Sequence, residues 1–251
     1  MKVIGLLGGM SWESSNEYYK IVNERVRERL GGLHSAHCVL YSVDFAELEP
    51  LMAAGRWAEV GAVLAEATTA LTRAGAEFLV LCTNTMHKLA DQLTGLPLLH
   101  ICDATAAVVK QAGLRTVGLL GTAFTMEQDF YTDRLAGHGL EVLVPDAADR
   151  AEVHRVIFEE LVVGVVREES RQAYRSVIER LVDRGAAGVI LGCTEIELLI
   201  GAADSPVPVY PTTRLHAELA ADHALGLADM PGTSQGFTGR GSAESHVPSI
   251  T

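Results

Sequence analysis

Short apolar runs, each closed by Gly or Pro, alternate along this chain with longer stretches in which apolar positions recur every three or four residues. The first run spans residues 3–7 and ends on Gly8-Gly9; helical spacing then holds over 11–30, up to Gly31-Gly32. The same pattern predicts strands at 38–43, 78–81, 98–101, 116–120, 141–144, 189–191 and 207–210, and helical stretches at 57–73 and 152–184. Strand–helix alternation of this kind makes a mostly parallel sheet with helices on both faces. The predicted fold class is α/β.

The pattern also repeats. Arg73-Ala-Gly-Ala-Glu-Phe-Leu-Val-Leu-Cys82-Thr83 lies over Arg184-Gly-Ala-Ala-Gly-Val-Ile-Leu-Gly-Cys193-Thr194 at an offset of 111. Leu96-Pro97-Leu98 meets Val207-Pro208-Val209 at that offset, and Ile4-Gly5-Leu6-Leu7-Gly8 meets Val117-Gly118-Leu119-Leu120-Gly121 at 113. Three ordered matches at nearly one offset predict two similar lobes of about 100 residues each, set at 1–103 and 104–212. Residues 228–251 change character, with Gly and Ser replacing apolar periodicity, and are expected to form a mobile tail.

Composition narrows the function. With 251 residues, 48% of them hydrophobic and 21% charged, the chain can bury a large core, which excludes global disorder. A net charge of −12 argues against a nucleic-acid partner, because phosphate neutralisation needs clustered cations. No run of 18 apolar residues suggests a membrane partner, and residues 2–9 enter the first strand directly, so a cytoplasmic location is expected. Four cysteines are too sparse for a disulfide framework. None of the four lysines sits where a Schiff base would be argued. No phosphate-loop or dinucleotide motif is present, and His34 and His37 lie in a polar loop without further ligands, so neither cofactor nor metal is expected.

Ligands of open parallel sheets bind beyond the carboxyl ends of the strands. Cys82 and Cys193 each follow an apolar run there, and each precedes polar residues and an expected helix. Helix N-termini favour carboxylates and lower thiol pKa values. Two thiols facing each other across a cleft have the geometry of a two-base racemase, removing a proton from one face of a carbon and returning one to the other. Cys38 and Cys102 have no counterparts in the repeat and read as core. Gly8-Gly9-Met10-Ser11, with Gly121-Thr122 as its mate, suggests backbone N–H groups for a carboxylate rather than a nucleotide. His87 reads equally as a tuning group or as packing.

At these residues the chain resembles the aspartate/glutamate racemase family, and within it bacterial broad-specificity amino-acid racemases. The motifs are Gly5-Leu-Leu-Gly-Gly-Met-Ser-Trp-Glu13, Leu81-Cys-Thr-Asn-Thr-Met-His87 and Gly192-Cys-Thr-Glu195, with Arg29-Leu-Gly-Gly-Leu-His-Ser-Ala36 and Thr125-Met-Glu-Gln-Asp-Phe-Tyr131 pointing to the narrower group. The resemblance implies two flavodoxin-like lobes around an inter-lobe active site, a homodimer, no cofactor, and a C-terminal helix (213–227) packed back on the first lobe. It implies Cys82 and Cys193 as the acid/base thiols, Asn84, Thr85 and Thr194 as ligands of the substrate's α-carboxylate or amine, and Met10, Ser11 and Thr122 in the same pocket. Glu195 belongs to the motif without an assigned role. Aspartate-specific members hold the substrate's side-chain carboxylate with an Arg after the second strand and a Lys in the second lobe. Residues 42–50 here carry no cation, and residues 161–168 carry only Arg167. The expected activity is therefore amino-acid racemisation over a broad range that includes polar neutral side chains, with aspartate and glutamate among the candidates. The alternatives are an aspartate- or glutamate-specific racemase, a related isomerase or decarboxylase, and a two-lobed sensor of a small acid.

Overall fold

All eight strands expected from the apolar runs form, and every pairing between them is parallel. The structure is a computed structural model that describes residues 1–231. The first half runs β1 (Ile4–Gly8), α1 (Trp12–Leu30), β2 (Cys38–Ser42), α2 (Phe45–Ala53), α3 (Trp57–Arg73), β3 (Phe78–Leu81), β4 (Leu98–Leu99) and α4 (Ile101–Gln111). The second half runs β5 (Thr116–Gly121), α5 (Ala123–Glu127), α6 (Asp129–Gly137), β6 (Glu141–Leu143), α7 (Ala147–Glu159), α8 (Glu168–Asp183), β7 (Val189–Gly192), β8 (Val209–Pro211) and α9 (Thr212–Ala224). The strand orders are β2-β1-β3-β4 and β6-β5-β7-β8, so one topology occurs twice. The chain is an α/β protein of two four-stranded lobes.

Each sheet is covered on both faces, which is why its inner strands are apolar throughout rather than alternating. In the first lobe α2 and α3 pack Leu48, Val60 and Leu64 against Leu7, Leu79 and Leu81. The opposite face is covered by α1 and by α9, whose Ala217, Ala220, Ala221 and Ala224 meet Ile4, Leu6, Tyr18 and Val22. Arg25 and Arg29 of α1 fasten α9 through Asp222, at 2.8 and 3.0 Å. The second lobe borrows a helix in the same way. Ile101, Cys102, Ala106 and Val109 of α4 pack with Val117, Leu119 and Tyr131, and Asp103 is held by Arg134 at 2.7 Å. The expected boundary after residue 103 thus falls inside a helix that belongs to the second core.

Three expectations are corrected. The stretch 152–184 is two helices, because the chain turns at Gly164 (φ 74°) between α7 and α8. The turn is pinned by Glu160, which accepts from Arg155 at 2.9 Å and from Ser170 at 2.6 Å. The strand at 98–101 stops at Leu99, where His100 caps α4 by accepting the Cys102 N–H at 3.2 Å. At the start of the expected tail, Met230 is still buried against the first lobe, so the chain remains packed at that point; residues 232–251 lie outside the described residues. Among the described residues no helix is long and apolar enough to cross a membrane.

Gly9, directly after β1, has φ +95°, and a Cβ there would run into the Val43 carbonyl oxygen. A left-handed backbone and a backbone clash both act against any side chain. Gly9→Ala is expected to destabilise the protein by at least about 2 kcal/mol in urea unfolding; an unchanged midpoint would contradict this packing of the β1–α1 turn.

Candidate active site

Because parallel strands leave their side chains at one common edge, the carboxyl ends of β1, β3, β5 and β7 converge on a cavity of about 600 Å³ between the lobes. One wall is polar and made by Ser11, Ser14, Asn84, Thr85, Thr122 and Thr194. The other is apolar and made by Met10, Phe45, Met52, Phe124, Ile157, Phe158 and Val162. No Lys or Arg lines it among the described residues, and Arg167 is exposed away from it.

The sheet register decides which side chains enter this space. Gly5 of β1 pairs with Leu79 and its mate Gly118 of β5 pairs with Val189, so β3 and β7 correspond at an offset of 110 rather than 111. The helix stops agree: Gly75 (φ 92°) matches Gly185 (φ 103°). Gly192 is thus the mate of Cys82, and Thr83 is the mate of Cys193. The lining follows this correspondence, since Thr83 and Cys193 both face the cavity and Cys82 does not. Cys82 is fully buried in the first-lobe core, with its thiol donating to the Val80 carbonyl at 3.8 Å. Of the expected pair, the structure therefore brings only Cys193 to the pocket. The side chains expected to surround it, Met10, Ser11, Asn84, Thr85, Thr122, Thr194 and Glu195, all line the pocket.

Helices were expected after both cysteines, but Thr85–Gln92 and Thr194–Leu198 are 3-10 turns. In the β1–α1 turn the Gly9 N–H is taken by Ser15 Oγ at 2.7 Å and the Ser14 N–H by Ser11 Oγ at 3.2 Å. The polar wall is held by hydroxyls. Ser14 Oγ lies 2.8 Å from Thr194 Oγ1, which lies 2.8 Å from Thr213 Oγ1. Asn84 accepts from the Tyr131 hydroxyl at 2.9 Å and donates to Thr212 Oγ1 at 3.1 Å, linking both lobes beneath the pocket. Ser14 and Thr213 lie outside the motifs, and Tyr131 closes the 125–131 motif without an expected place in the site.

Thr83 is clamped from behind. The Ile101 N–H must donate to His87 Nε2 (3.2 Å), so His87 Nδ1 carries the proton and donates to the Thr83 carbonyl at 2.8 Å. His87 is buried beside His100 and His216; burial, and after it the His216 ring, push its pKa well down, keeping it neutral. Of the two readings of His87, the structure supports a packed, positioning ring. The Thr83 hydroxyl has no hydrogen-bond partner among the described residues.

Cys193 is in a different setting. Its thiol donates to Glu195 Oε2 at 2.9 Å, and Glu195 Oε1 accepts from Ser11 Oγ across the cleft at 2.8 Å. Burial and then the Glu195 carboxylate push the Cys193 thiol well above the ordinary range, so the resting group is a thiol whose proton points at a carboxylate. Such a pair can pass a proton between sulfur and oxygen without moving heavy atoms. No group of three or more His, Cys, Asp or Glu side chains is arranged to hold a metal among the described residues.

The model of the Asp/Glu/hydantoin racemase family matches residues 7–220. The chain belongs to that family. Its structure is similar to that of a Yersinia pestis protein described as a candidate Asp/Glu racemase, at 55% identity and a TM-score of 0.85 over 90% of this chain and all of the other. It is also similar to an aspartate racemase homologue from Pyrococcus horikoshii OT3, at 35% identity and a TM-score of 0.79 over 90% of this chain and all of the other. Picrophilus torridus aspartate racemase shares the fold at 20% identity, with a TM-score of 0.71 over 90% of this chain and 95% of that one.

The exposures give a direct test. Native alkylation with iodoacetamide and peptide mapping should modify Cys193 and spare Cys82 and Cys102, which are both fully buried. The rate at Cys193 should climb as pH rises above neutral, since its pKa is raised. Native labelling of Cys82 ahead of Cys193 would contradict the placement.

Proposed function

We propose that the protein is a cofactor-independent amino-acid racemase in which Cys193 and Thr83 serve opposite faces of the substrate's α-carbon. The observation that carries this reading is their equivalence: each is the first side chain past the matched stretch of β3 or β7 that faces the shared pocket. The polar wall of hydroxyls and Asn84 receives the α-carboxylate and amine, and fixes the α-carbon between the two groups.

Cys193 gives its proton to Glu195, and the resulting thiolate removes the α-proton from one face. The carbanion is held by donors aimed at the carboxylate in a largely apolar cavity. The Thr83 hydroxyl returns a proton to the other face and recovers one from water. The opposite direction retraces these steps. A hydroxyl is a far weaker acid than a thiol, so the Thr83 step makes the larger demand on the site.

The apolar wall sets the side-chain range. A substrate carboxylate against Phe45, Met52, Phe124 and Phe158 would lack a cationic partner, at a cost of several kcal/mol. Polar neutral and apolar side chains fit this wall at least as well as aspartate or glutamate, giving a broad substrate range. The reading includes a homodimer, as the family resemblance implies, placed in the cytoplasm and in D-amino-acid metabolism.

Two measurements check it. In a circular-dichroism racemisation assay, Cys193→Ala should lose at least about 10³-fold in kcat/KM and Thr83→Val about 10²-fold, while Cys82→Ala stays within a few-fold of wild type. Loss in Cys82→Ala with a tolerant Thr83→Val would transfer the role to Cys82. Across methionine, homoserine, aspartate and glutamate, the neutral pair should match or exceed the acidic pair. A preference for an acidic substrate above about 100-fold, or about 2.7 kcal/mol, would overturn the specificity account.

A further inference from the structure

A second cavity of about 700 Å³ lies behind the Cys193 turn, and it shares Ser14, Thr194 and Glu195 with the substrate pocket. Those three residues are therefore the partition between the two spaces. The far side is walled by Glu13 and Glu17 of α1, Arg214 of α9, and Glu197. Glu197 is unusual among them, because its Oε1 is buried and has no hydrogen-bond partner among the described residues. A buried acceptor without a partner is costly for an ionised carboxylate and is relieved when the group takes up a proton.

We propose that this rear cavity is the route by which Cys193 exchanges its proton with solvent while the substrate pocket is occupied, with Glu195 and Glu197 carrying the proton in turn. The inference rests on the racemase reading above and assigns Glu197, which does not line the substrate pocket, a role in it that acts through Glu195. The first link is in place as the thiol's 2.9 Å hydrogen bond to Glu195 Oε2. The cavity is roomy and polar enough for water to make the second.

The proton balance is simple. After the thiolate has taken an α-proton, Cys193 is a neutral thiol and Glu195 still holds the proton it accepted; Glu195 must pass that proton through water to Glu197 or bulk solvent before it can take the next one from the Cys193 thiol. Catalysis in the other direction brings one proton inward along the same path. No electrons move, and no bond to carbon changes in this step. Burial, opposed by Arg214 and reinforced by the charges of Glu17 and Glu195, lifts the Glu197 carboxyl to about 7, where it both accepts and releases protons near neutral pH. On the opposite face Thr83 backs onto the neutral, buried His87 and opens only to the substrate pocket among the described residues.

The two faces should therefore exchange unequally. In D₂O at low conversion, the methionine enantiomer whose α-proton faces Cys193 should gain deuterium while keeping its configuration, and the other enantiomer much less. Nuclear magnetic resonance of the α-proton gives exchange, and circular dichroism gives inversion. In Glu197→Gln and Glu197→Leu the ratio of exchange to inversion for the favoured enantiomer should fall at least about five-fold, with kcat lowered more than kcat/KM. Comparison of thermal unfolding with wild type checks that both variants are folded. An unchanged ratio in folded variants that still invert methionine would overturn the route and leave the racemase reading standing. Absence of inversion in the wild-type protein with every amino acid of the specificity panel would overturn both.

Discussion

The carboxylate of Glu195 accepts one hydrogen bond from each lobe, from Ser11 Oγ at 2.8 Å and from the Cys193 thiol at 2.9 Å. Bonds to an ionised acceptor are roughly twice as strong as neutral ones. This carboxylate therefore joins the lobes at the cleft and helps to hold the Cys193 sulfur protonated. Ser11 reaches it because the same residue caps α1, accepting the Ser14 N–H at 3.2 Å. Ser14 in turn binds Thr194. The start of one helix thus holds the turn that presents Cys193, and the exchange of α4 and α9 between the lobes keeps that contact in place.

Most of the architecture could be read from the sequence, because inner parallel strands are continuous apolar runs bounded by Gly and Pro. Of the helices that escaped, α5 has five residues, too few to show a period, and the start of α4 at Ile101 was absorbed into the apolar run of the preceding strand. The site was legible as a region, and its pocket residues were found from their motifs. The placement of Cys82 in the first-lobe core, outside the pocket, was not. Matching Cys82-Thr83 to Cys193-Thr194 maximised identity at an offset of 111, whereas the backbone aligns the lobes at 110 in this segment. A one-residue slip turns a side chain to the other face of a strand. The glycine that ends each preceding helix, Gly75 and Gly185, was the signal that would have set the register, because a left-handed helix stop is a stricter marker than a shared Cys-Thr.

The two sulfurs illustrate how surroundings separate identical groups. Cys82 and Cys193 both have raised pKa values. The cause at Cys82 is chiefly burial among apolar neighbours, with Cys38 adding to it. At Cys193 a carboxylate shares the effect and also stands ready to take the proton. The pocket walls contrast in the same way, with hydroxyls and an amide on one side and aromatic and aliphatic side chains on the other.

The central claim is that the reacting carbon lies between Cys193 and Thr83, and a crystal structure with a bound, slowly turned-over amino acid tests it most directly. The account predicts the α-carbon within van der Waals reach of Cys193 Sγ and Thr83 Oγ1 on opposite faces, with the carboxylate against the hydroxyl wall and Cys82 still enclosed in the first-lobe core. An α-carbon flanked by Cys82 and Cys193, with the 82–84 segment turned to bring that sulfur into the pocket, would contradict it.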